Sequence, residues 1–401
     1  MHSSSFASCF RGNIAALHAI AFFGALYFYH PIATLYYQGR GLDFVQINSL
    51  WAIVVITMAV SEVPSGMIAD RIGRKWAVVL ALALQLSGEI VFVYADVYPL
   101  FVASAVLGGV GFAFSSGCLE SIMYDTLKQR NQEGSMQRVM GQNGASAQLA
   151  MIAGAVVGGY IARDLTMNSY IHLIVMTIGS VAIALVVSLL LREPEDDIPR
   201  EQDGAFAILS GGLSLLYSNR KLQRIVALSV LANPLAAYLI TFYQPHLLAA
   251  GVGADWLGLS LALGSLLGAA SSHFAHVLER IMGIRWALFT ATLLPGLLYI
   301  ALAFSSSSWL AVLTFVATFG ATTLQRPIFS DYINRHIDSG RRTTVLSIIS
   351  MLSGAYIAAM GMVTGALAEI SLPLTFATIG VITIGASFLL RIDARHVSLK
   401  E

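Results

Sequence analysis

The chain has 401 residues, of which 57% are hydrophobic and 11% charged, against about 25% charged in ordinary soluble domains. Its net charge is +1, with no basic block and no interleaving of basic and aromatic residues, so a nucleic-acid partner is not expected. The composition is that of an all-α protein embedded in a lipid bilayer.

The N-terminal segment carries Arg11 ahead of an apolar stretch running to Tyr37, longer than the about 7 to 15 residues of a signal-peptide core. It reads as a first membrane anchor. Apolar runs bounded by charge or turn residues then place spans at 13–37, 44–69, 75–95, 98–127, 137–162 and 170–191. Six more follow at 222–249, 255–278, 286–304, 308–334, 343–368 and 372–391, each near the about 20 residues that cross a bilayer. The division is an N-terminal six-helix bundle over 1–191, a cytosolic linker over 192–221 that opens on Glu193, Glu195, Asp196 and Asp197, and a C-terminal bundle over 222–401. Twenty of the 23 Lys and Arg fall in the terminal segments and the loops on one side, which predicts that both termini are cytosolic. Cys9 and Cys118 lie far apart, so no disulfide framework is expected.

Between the second and third spans, Gly66 to Lys75 reads GMIADRIGRK, with Asp70, Arg71, Arg74 and Lys75 as its charges. Gly66 admits close approach of a neighbouring helix. Gly73 permits a turn that other residues resist, and Asp70 can offer its carboxylate to the positive N-terminus of another helix.

Gly66, Asp70, Arg71, Gly73, Arg74 and Lys75 together resemble the G-x-x-x-D-R-x-G-R-K loop of major facilitator transporters. The resemblance implies twelve transmembrane helices in two pseudo-symmetric six-helix bundles, with the loop as a gating element. It also implies that Asp70 faces the start of the eleventh helix, near Thr343, and that Arg74 pairs with the acid closing the fourth, Asp125. Helices one, four, seven and ten would line a central cavity. The function implied is secondary transport of a small molecule by alternating access, with protons as the coupling ion. A monomer without cofactor or metal is expected, in the bacterial cytoplasmic (inner) membrane.

The halves also resemble one another. FYHP at 28–31 matches FYQP at 242–245, and Asp70, Arg71, Gly73, Lys75 and Trp76 match Glu279, Arg280, Gly283, Arg285 and Trp286. Tyr124-Asp125 lines up with Ser330-Asp331 at an offset of 206, and the same offset sets Glu120 against Arg326. Two parallel copies of six helices explain these matches.

An ionisable residue inside a span costs at least about 2.5 to 3.5 kcal/mol at a helix centre, so each is a functional candidate. Glu120 shares a helical stripe with Gly109, Ala113, Ser116 and Tyr124, and Arg326 one with Thr318, Thr322 and Ser330. Glu120 and Glu62 are the expected proton carriers, as the deepest acids, with Glu120 alternatively a structural partner of Arg326 and Glu62 alternatively a packing residue. Glu89 reads as an interfacial carboxylate within reach of water. Tyr29 and His30 in helix one, with Tyr243, Gln244 and His246 in helix seven, flank prolines that kink helices. They are cavity or substrate candidates, although either histidine alternatively serves as an interfacial hydrogen-bonding group. His273, His276 and Glu279 have a metal-like spacing but read as a helix end.

Gly141, Gly154, Gly158 and Gly159 resemble the fifth-helix motif of drug-proton antiporters, with Ala155 in the place of its proline. That resemblance implies efflux of small amphiphilic or drug-like molecules, and proton-coupled uptake of a metabolite is the alternative. No phosphate-binding or nucleophile-elbow motif occurs, so an enzyme is the less favoured class.

Overall fold

The structure, a computed structural model, describes residues 3–193, 220–336 and 342–390. Among them no strand is assigned, and eleven helical stretches are long and apolar enough to cross a membrane. Asp255–His273, a 19-residue helix rich in serine and glycine, holds the place of the twelfth. Apart from Arg192, Glu193, Arg220 and Lys221, the expected linker lies outside the described residues. Contacts divide the chain into two compact units, one of 1–40 with 50–201 and one of 41–49 with 202–401.

In the first unit the first span is interrupted. Helix α1 (Ser3–Ala25) stops, residues 26–32 leave the helical path through a 3-10 turn at His30–Ile32, and α2 (Ala33–Gly39) resumes. Pro31 has no N–H to give the ladder, and backbone groups freed in a membrane must find other partners. They find them on α8 (Met167–Ser188): the Phe28 N–H donates to Thr177 Oγ1 at 3.0 Å, and Ser180 Oγ donates to the Phe23 carbonyl at 2.8 Å. Helix α7 (Met136–Ile161) presses two glycines against the same break. A Cβ on Gly158 would lie 1.9 Å from the Phe28 carbonyl oxygen, and one on Gly154 2.9 Å from that of Tyr27. The glycine rhythm that resembles an antiporter motif thus has a packing cause here, because only a residue without Cβ lets the interrupted strand of backbone lie so close.

Helix α3 (Phe44–Ile72) and α4 (Arg74–Tyr94) are joined by Gly73 alone, and α4 packs along α5 (Tyr98–Ser115) and α8. The fourth span breaks at Ser116–Gly117, where Gly117 has φ +73, before α6 (Cys118–Lys128). The core of this unit gathers Leu17, Ile20, Leu82, Ile122, Met123 and Leu127.

The second unit contains α9 (Arg220–Ala232), a 3-10 turn at Asn233–Leu235, α10 (Ala236–Ala249), α11 (Asp255–His273), α12 (Ala275–Ala303), α13 (Ser308–His336), α14 (Arg342–Ile370) and α15 (Leu372–Leu389). Its seventh span breaks at Pro234, and Pro245 lies inside the continuous α10. The FYQP copy therefore does not repeat the interruption at FYHP. The core holds Val226, Leu288, Ile328, Phe329 and Tyr332. The first residues of α3 also count with this unit: the Phe44 N–H donates to Glu369 Oε1 at 2.6 Å and Asn48 Nδ2 to the Gly361 carbonyl at 3.1 Å. Large apolar side chains on outward faces, such as Val186, Leu313 and Val381, are exposed, as a lipid-facing surface requires.

Candidate functional site

At the α3–α4 junction Gly73 adopts φ 90, ψ 151, a region essentially closed to residues with a side chain. In the second unit Gly283, inside α12, adopts φ 76, ψ 156. The degraded loop copy of Glu279 and Arg280 has thus kept the backbone turn. Arg74 is ion-paired with Asp125, the acid that the resemblance implies, and their side chains are 18% and 7% exposed. Such a pair is costly to break from one side. Asp70 and Arg71 are exposed, Lys75 is half-buried, and Gly66 is half-buried within α3. Thr343 is the second residue of α14, and its side chain lies outside the described residues.

One residue of this site was not visible in the sequence. Glu193, read there only as the start of an acidic linker, caps α4: Oε1 accepts from the Arg74 N–H at 2.7 Å and Oε2 from the Lys75 N–H at 2.6 Å. A carboxylate on the first amide groups of a helix meets unpaired donors and the positive end of its dipole. The same carboxylate lies 3.2 Å from where a Gly73 Cβ would sit, so Gly73 is required twice over. Asn13 completes the site by donating to Thr126 Oγ1 at 3.2 Å and to the Arg192 carbonyl at 3.0 Å, and by accepting from the Arg192 N–H at 2.9 Å. The only signal of either role in the sequence was their place beside span ends.

The membrane-embedded acids differ from expectation. Glu62 and Glu120 are both exposed on their helices. For Glu120 the cause is the break at Ser116–Gly117: Gly109 and Ala113 are buried on α5, and after the break the phase is reset so that Glu120 and Tyr124 are exposed. Arg326 is exposed as well, one residue before Pro327 in α13, and Asp331 is half-buried five residues further on.

Glu89, read as an interfacial carboxylate within reach of water, is half-buried. Its Oε1 accepts a hydrogen bond from the Tyr29 hydroxyl at 3.1 Å, while Oε2 is buried without a hydrogen-bond partner. Tyr29 packs edge-on to Tyr27 at 5.7 Å and against Phe92 at 5.1 Å, and His30 stacks on Tyr27 at 4.9 Å. Tyr29 and His30 are thus brought to one acid by the interrupted first span.

Their counterparts in the second unit are packed inside it. Tyr243, Gln244 and His246 are buried, Tyr243 stacked on Phe315 at 4.4 Å. His246 Nε2 lies 3.1 Å from the Leu302 carbonyl oxygen and 3.3 Å from Ser305 Oγ, a tether from α10 to the end of α12. Beside it, at the end of the unit carrying the α12–α13 and α14–α15 turns, is a cavity of about 490 Å³ lined by His246, Ser305, Ser306, Ser371 and Pro373.

Membrane-spanning helices in two units, with one glycine turn repeated in both, are the arrangement expected of a transporter built from repeats. The chain belongs to the major facilitator superfamily, whose family model matches residues 14–361. It is 21% identical over 244 residues to the uncharacterized MFS-type transporter YxaM of Bacillus subtilis (strain 168), covering 60% of this chain and 59% of that protein. To Multidrug resistance protein 1 of the same organism it is 22% identical over 318 residues, 76% of each chain. Among solved structures, a mutant of the nucleoside transporter NupG superposes with a TM-score of 0.77 at 13% identity, covering 94% of this chain and 98% of that one.

Proposed function

We propose that the protein is a proton-coupled exporter of small amphiphilic or drug-like molecules that works by alternating access. The observation that carries this reading is the relationship, over three-quarters of both chains, to a multidrug resistance protein. The fifth-span glycines lend it less support than their pattern suggests, since Gly154 and Gly158 are already accounted for by the backbone they pack against. In this reading the loop from Gly66 to Lys75, with Asp125 and the second copy at Glu279, Arg280 and Asp331, governs alternation. Glu120 and Arg326, exposed on the fourth and tenth spans, are the charged groups offered to substrate, with Glu62 a further proton-carrier candidate.

The test is a counterflow and proton-flux screen in proteoliposomes across cationic drugs, metal chelates, lipids, sugars, nucleosides and amino acids. Export predicts that an outward-directed substrate gradient moves protons the other way, for an amphiphilic cation above all. Accumulation of a polar metabolite along the proton gradient would replace this reading with uptake.

A further inference from the structure

Glu89 lies on α4 five residues before its end at Tyr94, about 7.5 Å of helical rise inside the span. Glu89 is half-buried as a residue, but its Oε2 is buried without a hydrogen-bond partner, and Oε1 receives one hydrogen bond, from Tyr29. Among the described residues no Lys or Arg is ion-paired with it. The groups that face it are phenols and rings: Tyr27, Tyr29 and Tyr37 from the interrupted first span, Phe92 from its own helix, and Phe101 of α5 behind Tyr37 and Phe92. His30 stands one ring further out, against Tyr27 and Tyr29. A carboxylate left ionised in such surroundings, with one donor and no cation, pays a desolvation cost of several kcal/mol. A proton removes that cost and also gives Oε2 an O–H.

The ring spacing decides what else fits. Tyr27, Tyr29, Tyr37, His30 and Phe92 touch one another with centroids 4.9 to 5.7 Å apart, which is direct aromatic contact. Rings packed against each other leave no cage for an organic cation, whereas a proton needs no added volume.

We propose that Glu89, held by the Tyr29 hydroxyl and flanked by the rings of the first span, is a proton-binding site of the first unit. Both Tyr29 and its carbonyl neighbours at Tyr27 and Phe28 belong to the non-helical stretch 26–32. Loss of the proton puts a charge against this stretch and favours a conformation that hydrates it, so occupancy biases one arrangement over another. The proposal deepens the proton-coupled reading and rests on it only for the link from site to flux.

The experiment reads the proton directly, without a substrate. Infrared difference spectra of the protein in proteoliposomes, acid minus alkaline, are expected to show a protonated-carboxyl band that Glu89→Gln removes and that Glu62→Gln and Glu120→Gln retain. Tyr29→Phe, which keeps the acid and deletes its donor, is expected to shift the band and the pH at which it disappears. A band that survives Glu89→Gln overturns the proposal. If Glu89→Gln does not fold, Tyr29→Phe decides: a shifted band supports the site and an unchanged one overturns it. Flux is measured separately. Wild-type transport indifferent to a pH gradient, with the Glu89 band present, would sink proton coupling and leave the site standing.

Discussion

Replacing Gly158 by alanine tests whether the interrupted first span is held in place by the fifth. The added Cβ would sit 1.9 Å from the Phe28 carbonyl oxygen, and ordinary contact begins at 3.4 Å, so the two backbones must part by about 1.5 Å. Overpacking of this kind typically costs about 1 to 3 kcal/mol, and the atom met is backbone, which has no rotamer to yield. At Gly154 the corresponding distance, to the Tyr27 carbonyl oxygen, is 2.9 Å, so a displacement of about 0.5 Å suffices and the cost falls toward the lower end. Gly144, on the same helix, has nothing within 4 Å of the added atom, and alanine there gains up to about 1 kcal/mol of helix propensity. Thermal unfolding in detergent, followed by tryptophan fluorescence, is expected to rank Gly144→Ala at or above wild type, then Gly154→Ala, then Gly158→Ala. Gly158→Ala unfolding at the wild-type temperature, or Gly144→Ala falling as far as Gly158→Ala, would refute the reasoning.

Arg74→Ala is expected to destabilise the first unit by about 3 to 5 kcal/mol because it strands Asp125. Arg74→Ala with Asp125→Asn should recover most of that in the same unfolding assay, and full additivity of the two would contradict the pairing. Glu193→Ala removes the carboxylate from the Arg74 and Lys75 amides and should cost about 0.5 to 2 kcal/mol, as loss of a helix cap does; no change in melting would mean the cap contributes nothing. Gly73→Ala, which puts a side chain at φ 90 and against Glu193, should cost at least about 1 to 3 kcal/mol, with melting again the measure. Asp70→Asn is expected to slow transport while substrate affinity stays near wild type, and a collapse of binding at an unchanged maximal rate would remove Asp70 from gating.

The spans could be read because each is an apolar run ended by charge, and the two halves still share Gly73 with Gly283 and Asp125 with Asp331. What the sequence hid depends on neighbours distant along it. FYHP and FYQP look alike, yet only the first lies at an interruption, where Thr177 of α8 and two glycines of α7 accommodate the freed backbone. Glu89 was passed over because nothing near it in sequence reveals Tyr29, sixty residues earlier, as its hydrogen-bond donor. Glu62 and Glu120 attracted attention by their place in apolar runs, and a helical stripe drawn through Gly117 ran across a break it could not register. Glu193 was lost in an acidic run because capping is a matter of position in space, not of composition.

The break at Gly117 has a counterpart in arithmetic. From the start of α5 at Tyr98 to Asp125 is 27 residues, and from the start of α13 at Ser308 to the matching Asp331 is 23. The surplus of four residues, carried in a straight helix, would move Asp125 about 6 Å further along the axis and swing it by about 40°, away from any ion pair made at the shorter length. By interrupting the fourth span, the first copy takes up this extra turn and still delivers Asp125 to Arg74. The tenth span, without the surplus, is one continuous helix from Ser308 to His336 with Pro327 inside it. The two copies thus differ in this helix, one jointed at Gly117 and the other continuous, and any motion that lengthens or bends the fourth span has a ready place to occur at its joint.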